Sequence, residues 1–129
     1  MKRWLVVLVV ALLLGGLVTF SEIYVNQTLN TVLTDIKALQ LNLKDDGDIN
    51  TFSNLEISTR INNYWQHREK IICLGYNHKD MEKIGEQATK IKTLVLQNDK
   101  KSCTYELEIL KYYVEGYKDI ITCNFQNIL

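Results

Sequence analysis

An uncharged apolar run near the N-terminus constrains this chain more than any other feature. It extends from Trp4 to Ser21, 18 residues without a charged side chain (WLVVLVVALLLGGLVTFS). As a helix the run rises about 27 Å, close to the roughly 30 Å of a bilayer's hydrocarbon core. Because Lys2 and Arg3 precede it and Glu22 follows it, the positive-inside rule places the N-terminus in the cytoplasm. The run predicts a single-pass anchor in the cytoplasmic membrane, with the C-terminal domain extracytoplasmic.

A cleaved signal peptide is the alternative interpretation of this segment. A basic start and the apolar residues from Trp4 to Leu14 also fit that template. The best cleavage site, Thr19-Phe20-Ser21, lacks the small-x-small pattern that signal peptidase prefers. We therefore predict a retained signal-anchor over residues 1–21 and a separate domain over residues 22–129.

The charge balance of the remaining domain excludes nucleic acid as a partner. Lys2 and Arg3 account for two of the 15 basic side chains, so thirteen others face 15 acidic ones. A nucleic-acid-binding surface needs a basic field that this balance does not supply. The chain also contains no proline, which favours long helices over a fold with many tight turns.

Three stretches carry core-type side chains at alternating spacings of three and four residues, the heptad pattern of a packed helix face. They are Leu29, Val32, Ile36, Leu39, Leu43; Met81, Ile84, Ala88, Ile91, Val95; and Cys103, Leu107, Leu110, Val114, Tyr117, Ile121. The sequence Gln97-Asn98-Asp99 separates the last two. We predict three helices here, with Ile36, Leu39, Ile91 and Leu110 in the core.

A further helix is predicted between the first two stretches. Asp45–Asp48 forms a turn, Asn50 or Thr51 can cap the helix, and it ends near Ile72. Its apolar positions are less regular: Phe52, Leu55, Ile57, Ile61, Tyr64, Trp65, Ile71 and Ile72. Short connections between amphipathic helices favour antiparallel neighbours. The predicted fold is all-α: a transmembrane helix that continues into an antiparallel up-down bundle of about four helices.

No arrangement of reactive side chains predicts an enzyme or a cofactor site. His67, Cys73 and His78 lie six and five residues apart, spacings that match no common zinc motif. The many carboxylates are explained by solvated helix faces, and no nucleophile motif or phosphate-binding glycine loop is present. We expect no catalytic residue, no bound metal and no cofactor.

Aromatic side chains and one histidine form the candidate interaction surface, because Tyr and Trp are enriched at interface hot spots. The candidates are Trp65, Tyr76, His78, Tyr113 and Tyr117. Tyr112 belongs to the same aromatic cluster. At helical spacing such residues are more often packing residues, so core or membrane-proximal packing is the alternative. Gly85 and Gly116, inside predicted helices, mark either close packing or no specific role.

Several features follow one another in a recognisable order. They are the basic start and apolar segment, Trp65 near a helix end, the run from His78 to Ile84 that opens the next helix, and Asn127-Ile128-Leu129. In this order they resemble an uncharacterised bacterial family, domain of unknown function 4363. The resemblance implies a small membrane-anchored helical protein with no known activity. It also points towards a multi-pass membrane protein as partner, with self-association as an alternative. A protein-interaction module is the predicted function, and a sensory or ligand-binding bundle is the alternative.

Three cysteines are an odd number for an exported domain. In an up-down bundle Cys73 and Cys123 lie at the membrane-proximal end, whereas Cys103 is about 30 Å away along the last helix. Cys73 with Cys123 is therefore the one intramolecular disulfide that the topology allows. Three reduced thiols are the alternative.

Overall fold

The computed structural model describes residues 2–73 and 78–128, with side chains described as far as Ile121. Over these residues the chain forms four helices: α1 (Lys2–Leu43), α2 (Phe52–Ile72), α3 (His78–Leu96) and α4 (Lys100–Ile128). Helices α1 and α3 each pack against both α2 and α4, so the four form a closed ring around one core. The predicted all-α up-down bundle is confirmed.

Helix α1 is continuous from an exposed apolar part at its N-terminal end into the core of the bundle. Every side chain from residue 2 to residue 20 is exposed, and the first buried side chain is Val25. The exposed part is long and apolar enough to cross a membrane, and none of its span is buried inside the bundle. The predicted continuity between the apolar segment and the first bundle helix is therefore confirmed.

The two turns at the end of the bundle far from this segment are joined by hydrogen bonds. Gly47 adopts a φ of 109° in the first turn, and Asn98 a φ of 57° in the second. The Asn98 side chain accepts from the Ile49 N–H at 2.7 Å and donates to the Asp48 carboxylate at 2.9 Å. Two residues after Ile49, the Thr51 side chain caps α2 by accepting a hydrogen bond from the Asn54 N–H. These bonds hold the ends of α1 and α3 and the starts of α2 and α4 together.

The core consists largely of the three heptad stripes. Ile36, Leu39, Ile91 and Leu110 are all 0% exposed, which confirms their predicted burial. Every other stripe residue is buried too, apart from Tyr117, which is partly buried.

Helix α2 differs from the sequence prediction in which of its residues face the core. Phe52 and Ile71, read as apolar face positions, are 83% and 54% exposed. The buried stripe of α2 includes three polar residues, Asn54, Ser58 and Asn62. Their hydrogen bonds compensate for burial: the Asn54 amide, for example, donates to the Ile49 carbonyl at 3.0 Å and accepts from Asn42 at 3.1 Å.

Charged and polar pairs set the register between α1 and α2. Arg60 donates from Nε and Nη2 to the two carboxylate oxygens of Asp35, at 3.0 and 2.8 Å. Two turns closer to the apolar segment, Arg68 donates to the Thr28 hydroxyl at 3.3 Å. Because residue numbers rise along α2 as they fall along α1, these two pairs show that the helices are antiparallel.

A second polar cluster joins α3 to α4. The Glu106 carboxylate accepts from Lys90 at 2.8 Å and from the side chain of Gln87. The hydrogen bond from Lys90, followed by that from Gln87, lowers the pKa of Glu106 below its ordinary value of 4.5. The ionised carboxylate is thus favoured in the folded bundle.

We predict that Glu106 contributes to the acid sensitivity of the bundle. Because its pKa is lower in the folded chain than in the unfolded one, its stabilising contribution is present above about pH 4.5 and is lost as the pH falls through the folded pKa. Glu106→Gln should therefore lose less stability than the wild type between pH 6 and pH 3, measured by urea unfolding at each pH. Glu56→Gln, at an exposed position on α2, is the control. An identical pH dependence in wild type and Glu106→Gln would contradict the prediction.

Candidate functional site

The five residues of the candidate interaction surface do not lie together. Trp65 is 0% exposed, and its indole N–H donates to the Met81 carbonyl at 3.3 Å. Its Cδ1 and Nε1 lie 3.4 Å from the position a Cβ would take at Gly85, so the absence of a side chain there allows α2 and α3 to approach closely. Trp65 is thus a core residue, and its assignment to a surface is wrong. The packing alternative holds for it.

Two other candidates lie near the connection between α2 and α3. Tyr76 is outside the described residues. His78 is exposed at the first position of α3, and its Nε2 lies 2.7 Å from Glu82, one turn further along the helix. This local pair holds the imidazole at the helix surface and does not connect it to Tyr113 or Tyr117.

Tyr113 and Tyr117 both line an open groove between α3 and α4 that we call the tyrosine groove. It has a volume of about 550 Å³ and is lined by Asp80 and Lys83 of α3 and by the face of α4 from Tyr112 to Ile120. Tyr112 is 75% exposed and Ile120 is 54% exposed. The groove therefore offers aromatic and aliphatic surface to the solvent.

Tyr117 fixes the wall of the tyrosine groove. Its hydroxyl donates to the Asp80 carboxylate at 2.6 Å, across the boundary between α4 and α3. Burial, together with the hydrogen bond to Asp80 and its negative charge, raises the pKa of Tyr117 well above its ordinary value. The phenol consequently stays protonated at neutral pH and keeps donating to Asp80, so the ring has a fixed position.

Gly116 lines the groove, and contacts with neighbouring helices do not explain why a glycine occupies this position. A Cβ at this position would meet no atom within 4 Å in the described part of the chain, so no neighbouring helix requires a glycine here. Within a helix, glycine costs about 1 kcal/mol relative to alanine. The close-packing interpretation fits Gly85 but not Gly116. Its missing side chain instead leaves space within the groove.

The charges around the tyrosine groove are predominantly negative. Asp80, Glu115 and Asp119 line it together with a single lysine, Lys83. The Lys83 ammonium lies 3.8 Å from Asp80, which already holds the Tyr117 hydroxyl. Among the described residues neither Glu115 nor Asp119 has an ion-pair partner, so two carboxylates remain available to a positive group.

The two described cysteines, Cys73 and Cys103, lie outside the lining of the tyrosine groove. No three His, Cys, Asp or Glu side chains are grouped to hold a metal ion in the described ranges. Cys103 is buried, and desolvation raises the pKa of its thiol to about 11, so it stays protonated and unreactive at neutral pH. Cys73 is half-buried, and the side chain of Cys123, its predicted partner, lies outside the described residues.

A second aromatic cluster lies close to the apolar part of α1. The Arg68 guanidinium stacks over the rings of Tyr24 and Tyr64, with 4.9 and 4.5 Å to the ring centroids. These contacts hold α2 against α1, so the rings and the cation of this cluster already serve as packing partners for one another. We therefore take the tyrosine groove as the candidate site.

A comparison with family models gives a match for residues 19–128, to the family described as "Domain of unknown function (DUF4363)". The matched region contains all of α2 and α3, the bundle part of α1 and α4 as far as its last residue. The chain belongs to this family. Neither a curated protein nor a solved structure matches it. The DUF4363 region begins at residue 19, so it contains the whole bundle and both walls of the tyrosine groove.

Sequence reasoning placed all three tyrosines of the groove in one aromatic cluster, but it did not connect Gly116 or the neighbouring carboxylates with them. A usable signal was present, because positions 112, 116 and 120 repeat every four residues, as do 115 and 119. Both sets fall on the side of α4 turned away from the core stripe. The pairing with Asp80 could not be read from the sequence, since it joins residues 37 positions apart.

Proposed function

We propose that this DUF4363 protein is a membrane-anchored interaction module, whose bundle is held at the outer face of the cytoplasmic membrane and binds another envelope protein. The observation that carries this proposal is the unbroken helix α1. Its apolar residues are wholly exposed as far as Phe20, and the bundle core begins at Val25. Four helical residues lie between them, and the rise from Phe20 to Val25 is about 8 Å, so the bundle has no flexible linker to the apolar segment.

The lack of a linker limits which partners the bundle can reach. A bundle fixed to the membrane surface meets proteins that are themselves in the membrane or close to it. The basic residues Lys2 and Arg3 support the outward orientation of the bundle. The tyrosine groove offers such a partner exposed aromatic surface beside acidic side chains.

Site-specific photocrosslinking in native membranes tests this proposal. A photoreactive amino acid placed at Tyr112, in the groove, and at Thr34, on the exposed face of α1, samples two sides of the bundle. We expect a discrete crosslinked product with an integral membrane protein from at least one position. Crosslinks to lipid alone, or none from either position, would contradict the proposal.

A further inference from the structure

The height of the tyrosine groove above the membrane follows from the register of α1 and α4. Gln40 donates to Glu108 at 2.7 Å, which places these two residues at one level of the antiparallel pair. Gln40 is about 30 Å along the axis from Phe20, and the groove lies between four and twelve residues from Glu108 towards the membrane. The groove is therefore about 12 to 24 Å above the end of the apolar segment. An exported loop of a membrane-embedded protein can reach this height.

The lining of the groove determines the chemistry of what fits it. Tyrosine faces attract cations, most strongly where the cation is partly removed from water. Glu115 and Asp119 add two carboxylates, and neither forms an ion pair with another described residue. Lys83, the only lysine among the described residues of the lining, is already beside Asp80. Aromatic faces with unneutralised carboxylates are complementary to a side chain with an apolar stem and a positive end.

Gly116 is a second, independent observation that supports binding of a ligand in the tyrosine groove. Gly116 lowers the helical stability of α4 without relieving any steric contact in the described chain. Alanine there would fit the bundle and stabilise the helix, yet it would make the groove shallower. A residue that weakens the fold and enlarges a concave, charged surface is typical of a binding site.

We propose that the tyrosine groove binds an arginine or lysine side chain on an exported loop of a membrane-embedded partner protein. This inference rests on the proposed function and names its partner's chemistry. The alkyl stem lies over Gly116 and against the tilted pair formed by the Tyr112 and Tyr113 rings, whose centroids are 6.3 Å apart. The charged end then reaches Glu115 and Asp119. Because exported loops of membrane proteins are poor in Lys and Arg, such a residue would also distinguish the partner from its neighbours.

Peptide titration of the full-length chain in lipid nanodiscs tests the chemistry. The probe is acetyl-Gly-Arg-Gly-amide, and its neutral counterpart carries citrulline in place of arginine. The readout is the NMR signal of ¹³C-labelled tyrosine rings. We expect the arginine peptide to cause saturable shifts with a millimolar Kd. The Kd of the citrulline peptide should be at least fivefold higher. Equal affinity for both peptides would overturn the proposal.

Variants separate groove binding from folding. Gly116→Ala should leave the unfolding temperature unchanged or higher and weaken peptide binding, and Gly116→Leu should abolish binding. Glu115→Gln with Asp119→Asn should raise Kd at least fivefold. The matched control, Asp46→Asn with Glu56→Gln, removes the same charge from exposed positions outside the groove. Wild-type affinity in both the Gly116→Ala and the Glu115→Gln/Asp119→Asn proteins would overturn the proposal, even if Gly116→Leu fails to fold.

Two further outcomes distinguish this inference from the proposed function. Crosslinking from Tyr112 to a partner segment that contains Arg or Lys supports the inference. Crosslinking from Thr34 alone leaves the interaction module standing and overturns the groove as its docking site. Micromolar binding of putrescine, with the peptide still at millimolar Kd, would assign the groove to a small organic cation and also overturn the inference.

Discussion

Replacing Trp65 with alanine should destabilise the bundle by about 3 to 5 kcal/mol, the range for truncating a large aromatic side chain in a core. Trp65 is 0% exposed and is the largest fully buried side chain among the described residues. It fills the space between α2 and α3 that Gly85 leaves open, and its indole N–H satisfies the Met81 carbonyl. The variant loses both the packing and this hydrogen bond.

Urea unfolding followed by far-UV circular dichroism of the full chain in a mild detergent measures this change. Phe52→Ala is the matched control, because Phe52 is an aromatic residue on the same helix but 83% exposed. Surface substitutions of this kind usually change stability by less than about 0.5 kcal/mol. Equal effects of the two substitutions would show that Trp65 is not a core residue.

Replacing Leu12 with arginine should strongly reduce membrane integration. Leu12 lies near the middle of the apolar part of α1 and is 68% exposed. Arginine at the centre of a transmembrane helix costs about 2.5 to 3.5 kcal/mol for insertion, whereas leucine contributes favourably. The change should therefore lower the membrane-inserted fraction by a factor of about ten or more.

Leu41→Arg is the control for this substitution. Leu41 lies on the same helix and is 64% exposed, but it belongs to the bundle. Carbonate extraction of membranes, with immunoblotting of pellet and supernatant, measures the integrated fraction. We expect Leu41→Arg to remain in the pellet and Leu12→Arg to leave it. Retention of both in the pellet would contradict a membrane-spanning role for the apolar residues.

How far the sequence predicts this structure depends on the helix. The stripes of α1, α3 and α4 were predictable because their buried side chains are nearly all apolar and recur at regular spacing. On α2 the core face includes Asn54, Ser58 and Asn62, whose burial depends on tertiary hydrogen bonds, so an apolar pattern does not find it. The sequence prediction instead assigned Phe52 and Ile71, which are exposed, to the apolar face of α2.

The candidate site was less predictable than the fold. For Tyr113 and Tyr117 the sequence left two roles open, an interaction surface or helix packing. Both tyrosines pack against the core and also line the groove. Trp65 could not be separated from them by composition, because a tryptophan at helical spacing is equally compatible with either role. Asp80 joins the site through a contact between helices, which no local pattern contains.

Protease treatment of intact spheroplasts, followed by intact-mass analysis of the fragments in the membrane, tests the central claim most directly. The claim is that the apolar part of α1 is a retained anchor with its N-terminus inside and the bundle outside. The account predicts a protected fragment that begins at the N-terminus and contains the residues up to about Phe20, with the bundle accessible to the protease. A fully protected bundle would reverse the topology, and recovery of a chain that starts near Glu22 would show that the segment is removed.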